Sequence, residues 1–403
     1  MITSLFLTPS PPLPAIQGAP MRNLTMIRAA ATLGPVDLIT FNACQNDTGP
    51  ADELGQLCRR VERFEAPRRS MAGRATSLLR SSLPDMAHRL WSREINVIVK
   101  QWLDDCPYDI VQVEGIELAR YIRAARSNGR PRVVFDDHNV EYLLQERAFE
   151  FNRTRPAHLH TAAYSAVQAR RLRSFEREAC KSSDVVVAVS EQDARRLRLL
   201  GSKEPAVIPN AIDVSSYPFK PDRVGNGRTL LFPATMDFRP NAEAAMWFIE
   251  RVLPRISSAL PDFQCYFAGR NPSADLIRRG QHDPRIAVTG EVPSMDVYWQ
   301  RASVCILPLQ VGGGSRFKAL EAMAHGVPIV STSLGMEGIE ARPGHDYLRA
   351  DDPASFADAV QHLLQNNALR QALAVHARVV VERGYPQSVV AERLSALYAQ
   401  LCP

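Results

Sequence analysis

VCILPLQVGGGSRFKALEAMAHGVPIVST, residues 304–332, decides the fold. VCILPL is a short apolar run of strand type, and GGG lets the backbone turn sharply and approach another group closely. Ser315 suits a helix N-cap. Arg316, Phe317 and Lys318 then fill the first turn, Gly326 stops the helix, and PIVST is the next strand. Strand, helix and strand in this order build a parallel sheet. The charges are the wrong sign for an empty helix end. A helix N-terminus is already partly positive, so each exposed cation there costs about 0.3–1 kcal/mol. An anion reverses that cost. A diphosphate fits, because Arg316 can hold two oxygens at once while Lys318 supplies a point charge. Glu321 falls at helical spacing on the face of Phe317, Leu320 and Ala324. A carboxylate on an apolar face needs a partner. Vicinal hydroxyls such as those of ribose would serve, and so would an ion pair with Lys318 or another cation. The spacing is not that of a P-loop.

The same alternation runs through the rest of the chain. SLFLT, VDLITF, DIVQV, RVVFD, DVVVAVS and AVIP read as strands, with helices at 20–32, 116–127, 139–151, 160–180 and 191–200 between them. Periodicity lapses at AIDVSSYPFKPDRVGNGR, where prolines, glycines and polar residues gather. It resumes with TLLFPA, a helix near 241–257, FQCYFAG, RIAVTG and a helix at 294–302. The expected organisation is α/β throughout. A doubly wound domain spans 1–210, a linker 211–228 and a second doubly wound domain 229–385. A terminal helix at 386–403 is free to cross back to the first domain. Ligands of such folds bind at the carboxyl edges of the strands, so a cleft between two such edges is expected.

The chain has 403 residues, of which 45% are hydrophobic and 23% charged, as in ordinary globular proteins. Its seven cysteines are scattered, odd in number and without a C-x-x-C pair, which excludes a disulfide framework and a structural zinc site and points to a reducing cytoplasm. The histidines show no metal-ligand spacing and no D-x-D occurs, so neither a metal nor a cofactor is expected. The N-terminus has no basic region before its apolar stretch and reads as a strand, not a leader. No apolar run approaches the ~18 residues of a membrane span. The net charge of +5 is local in origin: residues 59–80 hold seven arginines against Glu62 and Glu65. An anionic membrane surface would bind such a segment, and a solvated helical face explains it as well. Basic and aromatic residues do not interleave, so nucleic acid is not an expected partner.

PLQVGGGSRFKALEAMAHGVPIVSTSLGMEGIE resembles the nucleotide-binding signature of family 4 of the retaining glycosyltransferases, in the branch with G-G-G-[ST]-R-x-K-x-L-E-A-M-A. DDHNVE, VVAVSEQDARRL, VIPNAID, MDFRPNAEAAMWF, AGRNPS and VTGEVPSMDVYWQRASVCILPL extend the resemblance over nearly the whole chain. It implies the GT-B architecture, two Rossmann-like domains with the acceptor mainly on the first and a nucleotide-diphosphate sugar, the co-substrate, mainly on the second. It implies that Glu321 holds the ribose and that Arg316 and Lys318 lie near the diphosphate, where they act catalytically on the leaving group. Gly314 and Ser315 would contact the nucleotide. The resemblance also implies a retaining, front-face transfer in which the leaving phosphate helps deprotonate the acceptor. A saccharide or lipid-linked saccharide acceptor, a role in surface polysaccharide synthesis and a cytoplasmic enzyme peripheral to the inner face of the membrane follow by analogy. Two departures stand out. Gly313 occupies the place of the first of two glutamates common in the broader family, and PATMDFRPNAE offers Arg239 but no lysine for the diphosphate. The same architecture also serves sugar-nucleotide epimerases and could serve a non-catalytic nucleotide-sugar-binding protein.

Further candidates lie at strand ends. His138, after RVVFD, reads as a catalytic contact to sugar or leaving phosphate or as a packed turn residue. Asp137 could fix its tautomer and Asn139 could cap the next helix. Glu114, after DIVQV, reads as an acceptor contact or as an exposed loop carboxylate. Gly18, with Arg22 as a further phosphate contact, lies between the first strand and first helix, where the resemblance implies a loop beside donor and acceptor. Gly290, Glu291 and Val292 would lie along the base. Gly335 and Glu337 would reach the donor sugar, although a glycine turn explains that segment too. Ser190 reads as an N-cap with Asp193, not as a nucleophile.

Overall fold

A computed structural model describes residues 1–15, 18–42, 51–127, 129–153, 159–219, 227–313 and 316–403. The chain divides into two compact units, Met1–Ala211 with Gln387–Pro403, and Ile212–Pro386.

In the first unit the strands are β1 (Ser4–Thr8), β2 (Val36–Asn42), β3 (Arg60–Glu65), β4 (Ile110–Glu114), β5 (Arg132–Asp137), β6 (Val185–Ala188) and β7 (Ala206–Val207). Its helices are α1 (Gly18–Ala31), α2 (Ala51–Leu57), α3 (Met71–Arg80), α4 (Arg93–Asp105), α5 (Ile122–Ala125), α6 (Glu141–Arg153), α7 (Leu159–Ser182) and α8 (Glu191–Leu200). All strand pairs are parallel, in the order β3-β2-β1-β4-β5-β6-β7. SLFLT and IVQVE are buried at every position because helices cover both sheet faces.

The second unit holds β8 (Thr229–Pro233), α9 (Arg239–Trp247), α10 (Leu253–Ala259), β9 (Gln264–Ala268), α11 (Ala274–His282), β10 (Ile286–Gly290), α12 (Asp296–Arg301), β11 (Val304–Leu307), α13 (Phe317–Ala324), β12 (Ile329–Ser331), β13 (Leu348–Arg349), α14 (Pro353–Gln365) and α15 (Asn367–Gly384). Its parallel sheet runs β10-β9-β8-β11-β12-β13. The two sheets are thus separately doubly wound, the GT-B pairing of two Rossmann-like units, and the strand order reverses between β1 and β4 in one and between β8 and β11 in the other. Ligands bind doubly wound sheets at the carboxyl ends of such a switch point.

The terminal helix α16 (Gln387–Leu401) belongs to the first unit. Val390, Leu394, Leu397 and Tyr398 form a helical apolar stripe that shares a core with Leu24 and Ile27 of α1. The segment expected as a linker opens the second unit, where the Ile212 N–H donates to the Tyr385 carbonyl at 3.0 Å; residues 220–226 lie outside the described set. Ser190 caps α8 by accepting the Asp193 N–H, which accounts for it without nucleophilic chemistry. No helix among the described residues is long and apolar enough to cross a membrane.

The arginine-rich segment is only partly helical, since Arg60–Glu65 is the edge strand β3. Several of its cations have local partners: Arg59 with Asp37 at 2.6 Å, Arg60 over the Trp102 ring, and Arg69 and Arg74 with Asp85 at 2.8 and 3.6 Å. Helix α3 buries no residue, and its Met71 and Leu79 are 77% and 85% exposed.

Candidate functional site

In the second unit the site is built across the switch point, from the helices that follow β8 and β11. The glycine turn permits this closeness. Gly312 has φ +102, and a Cβ there would sit 2.9 Å from Pro240 Cγ at the start of α9. What Gly312 admits is therefore the Pro240 ring, from the helix across the switch. Gly314 and Ser315 lie outside the described residues, and the expected Ser315 cap with them. Arg316 itself occupies the N-cap position, one residue before α13, instead of the first turn.

Lys318 donates from Nζ to Asn241 Oδ1 at 2.8 Å and lies 5.2 Å from the centre of the Phe232 ring. Asn241 is itself held, its Nδ2 donating to the Thr235 carbonyl at 2.9 Å. Arg316 is 6% exposed, and its Nη2 lies 3.5 Å from Glu337 Oε2, too long for a strong hydrogen bond. Burial, and then the Arg316 charge, push the Lys318 ammonium down to about 8. Two desolvated cations that disfavour each other at a helix N-terminus form a site that an anion would relieve.

For Glu321 the sequence left open a ligand or an ion pair with Lys318, and no such ion pair is formed. Lys318 is turned to Asn241, and among the described residues no hydrogen bond or ion pair reaches the Glu321 carboxylate. Burial pushes it up to about 7, opposed by the Lys318 charge. Against its helix, His325 stacks on Trp299 and packs edge-on to Tyr217. A largely apolar wall thus carries one half-buried carboxylate.

The first unit presents a second cluster at its own switch point. Glu114 ends β4 and is fully buried, not an exposed loop carboxylate. His138 follows β5, and its Nε2 is 2.7 Å from Glu114 Oε2. Gln112 Nε2 donates to Glu114 Oε1 at 2.6 Å, and Tyr398 of α16 donates to Gln112 Oε1 at 2.6 Å. With its amide turned so that nitrogen faces the carboxylate, Asn23 of α1 donates to Glu114 Oε2 at 3.1 Å. Both oxygens are occupied, which removes Glu114 as an acceptor-binding group and makes it the residue that positions His138. Burial, then the Asp136 charge, raise Glu114 to about 7. Burial alone would lower His138, but its hydrogen bond to Glu114 and the Asp136 charge outweigh it and the ring is raised. Nδ1 is left as its nitrogen for a ligand. A side chain at Gly115, which has φ +83, would come within 3.9 Å of that atom.

Other sequence expectations change. Arg22 is no phosphate contact: it is buried, pairs with Asp136 through two bonds of 2.8 and 2.9 Å, and donates to the Ile208 carbonyl at 3.0 Å. Asp137 does not fix the His138 tautomer. It is buried beside Glu176, and burial followed by the Glu176 charge holds its proton on. Glu176, not Asn139, caps α6 by accepting the N–H groups of Glu141 and Tyr142 at 2.7 and 3.0 Å. Glu114, Asp136 and His138 are close enough to share a metal ion, but Arg22 occupies the carboxylate of Asp136 and the other two face each other.

Gly335 is explained by packing: a Cβ would meet Ser331 Oγ at 2.2 Å and the Leu307 carbonyl at 2.7 Å. Glu337 stands beside Arg316. Arg239 is 43% exposed and lies 3.8 Å from Glu243 along its own helix, so the α9 residue that reaches Lys318 is Asn241 instead. Sequence reasoning missed Asn241, although its place in RPNAE, on the helix after β8, was a usable signal. Gly290 has φ +67 at the end of the edge strand β10, with Glu291 and Val292 after it; among the described residues no hydrogen bond or ion pair joins them to the α13 set. Gly18 opens α1.

Both units match glycosyltransferase families. Residues 24–216 match Glycosyltransferase Family 4, and residues 227–366 match Glycosyl transferases group 1. The chain is 21% identical to an uncharacterized 44.6 kDa protein in the cps region of Klebsiella pneumoniae, covering 94% of this chain and 95% of that one. It is 30% identical to the phosphatidyl-myo-inositol mannosyltransferase of Mycobacterium leprae over 53% of this chain and 58% of that one. Among solved structures, sucrose-phosphate synthase from Thermosynechococcus elongatus superposes with a TM-score of 0.75 at 17% identity, covering 100% and 99% of the two chains. An Anabaena protein in complex with UDP-glucose superposes with a TM-score of 0.65 at 13% identity, covering 99% and 100%.

Proposed function

We propose that the chain, built on the GT-B fold, is a glycosyltransferase that moves a sugar from a nucleoside-diphosphate sugar to a saccharide or lipid-linked saccharide with retention of anomeric configuration; the two family matches and the shared fold support this reading. The observation that carries this reading is the α13 set: Arg316 buried and Lys318 largely desolvated at a helix N-terminus, and Glu321 one turn further with no hydrogen bond or ion pair among the described residues. Arg316, Lys318 and the helix N–H groups stabilise the charge that grows on the departing diphosphate. Glu321 accepts both ribose hydroxyls, which places the diphosphate at the cations.

In the first unit His138 contacts the sugar or its leaving phosphate through Nδ1. Glu114, Gln112 and Tyr398 hold the ring. The transfer is front-face, with the leaving phosphate taking the acceptor proton. The epimerase alternative loses Glu114 as a free acid–base group, since both of its oxygens are held.

A relative with a lipid-named substrate and a neighbour holding UDP-glucose make UDP-hexoses and lipid-linked acceptors the first pair to try. A cytoplasmic enzyme touching the inner membrane face through α3 fits its exposed Met71 and Leu79 beside Arg74 and Arg80. The test is transfer from a panel of nucleotide sugars to saccharide and lipid-linked acceptors, with product configuration read by NMR. Retention in the product supports the proposal. Inversion, or donor binding without transfer to any acceptor, overturns it.

A further inference from the structure

A cavity with a cationic lining lies wholly within the first unit, among α4, α5, α7 and the segment before α4. Its volume is about 550 Å³, inside the range of small-molecule sites. Lys100, Arg120, Arg123 and Arg171 line it against one carboxylate, Glu178. That carboxylate is only loosely used, 3.9 Å from Arg123, with both side chains exposed.

The two deeper cations are not neutralised. The Arg120 guanidinium lies 3.6 Å above the Trp91 ring, an arrangement that fixes its plane and uses none of its N–H donors. Among the described residues no hydrogen bond or ion pair reaches it. Arg171 donates from Nη2 to the Leu78 carbonyl at 2.7 Å, while its Nη1 is buried with no partner among the described residues. A buried guanidinium nitrogen left unbonded is expensive, and no carboxylate offsets the Arg171 charge among the described residues. The field is felt nearby: burial, then the charges of Arg120 and Arg69 with Arg171 behind them, lower the proton affinity of His88. The apolar side of the cavity includes Phe175 and the rim of Trp91.

We propose that this cavity is a second anion site, which takes an organic phosphate or diphosphate with its phosphoryl oxygens on Arg120 and Arg171 and its organic body against Phe175. Arg120, its plane fixed on Trp91 with its donors unused, and Arg171 in the same lining fit a phosphate held between two guanidinium groups. The site shares no residue with the α13 set, so its ligand is bound independently of the donor.

The probe is inorganic pyrophosphate, titrated calorimetrically into the full chain. Wild type is expected to bind two equivalents. Lys318→Met should remove one and leave the other, and Arg120→Gln should remove the one that Lys318→Met leaves, each by at least tenfold. One equivalent that Lys318→Met abolishes would overturn the cavity site and leave the donor reading standing. One equivalent that only Arg120→Gln abolishes would do the reverse. Thermal melting checks each fold; should Arg171→Gln fail to fold, Arg120→Gln carries the test alone. Sedimentation with phosphatidylglycerol vesicles identifies the source. Loss of vesicle binding in Arg120→Gln assigns the phosphate to a lipid headgroup, and unchanged vesicle binding alongside lost pyrophosphate assigns it to a soluble ligand. Pyrophosphate binding unchanged by both arginine substitutions in the Lys318→Met background refutes the site.

Discussion

Nucleoside diphosphate affinity should trace a bell with limbs near pH 7 and pH 8. Only the carboxylate form of Glu321 accepts two hydroxyl donors, and burial raises this group to about 7 in the unliganded protein. At pH 5 roughly 1% of it is ionised, so binding weakens by up to ~100-fold, or ~2.7 kcal/mol at 1.36 kcal/mol per pH unit. Partial solvent access screens this, which makes tenfold a reasonable floor. On the other side, Lys318 loses its charge as pH rises through about 8, and diphosphate affinity then falls by up to ~10-fold per unit, while Arg316 does not titrate. The assay is calorimetric Kd from pH 5 to 9.5, with pyrophosphate run in parallel to subtract the phosphate's own ionisation near pH ~6. Glu321→Gln should abolish the acid limb, and Lys318→Arg the alkaline one. The sign extends to stability. A carboxyl whose proton affinity is raised by folding stabilises the unliganded protein at low pH and loses that contribution as pH climbs through about 7. Glu321→Gln should therefore melt higher than wild type at pH 8, by no more than about 3 kcal/mol. An acid limb that survives in Glu321→Gln, or a flat wild-type profile from pH 5 to 7, refutes the reasoning.

Substitutions at three other positions probe the supporting structure. Asn241→Leu removes the acceptor 2.8 Å from Lys318 Nζ and should weaken nucleoside diphosphate and pyrophosphate alike, by about 1.5–3 kcal/mol in titration, whereas Asn241→Asp should move the alkaline limb upward. Arg22→Gln leaves Asp136 buried without its cation and should destabilise the first unit by about 3–5 kcal/mol in urea unfolding. His138→Asn should lower transfer kcat by about 100-fold or more while leaving donor Kd within a few fold; an unchanged kcat would reduce the Glu114–His138 pair to packing.

The parallel strands were legible because their apolar runs are short, β-branched and separated by helical periods, and the switch-point logic then put Arg316, Lys318, Glu114 and His138 at carboxyl edges. The charge sign at the start of α13 was enough to suggest an anion. What the sequence could not show was which polar group meets which across the switch. Arg22 looks like a surface arginine until Asp136, 114 residues away, is brought against it. Glu114 looks like a loop carboxylate until Gln112, His138 and α16 enclose it. Lys318 has a carboxylate one turn away at Glu321, the usual helical pairing, yet it turns to Asn241 on another helix. Each miss is a long-range pairing between groups whose local sequence is unremarked. Gly335 differs: its lack of a side chain is needed by the Leu307 carbonyl, a backbone contact that no residue pattern announces.

The account rests most directly on Glu321 as the ribose-holding group beside a separate diphosphate site. The decisive measurement is the ratio of nucleoside diphosphate to pyrophosphate affinity in Glu321→Ala and wild type at pH 8. The account predicts that the substitution weakens the nucleoside diphosphate at least tenfold and leaves pyrophosphate on Arg316 and Lys318 unchanged within a few fold. Equal loss of both ligands, or no loss of either, would contradict it.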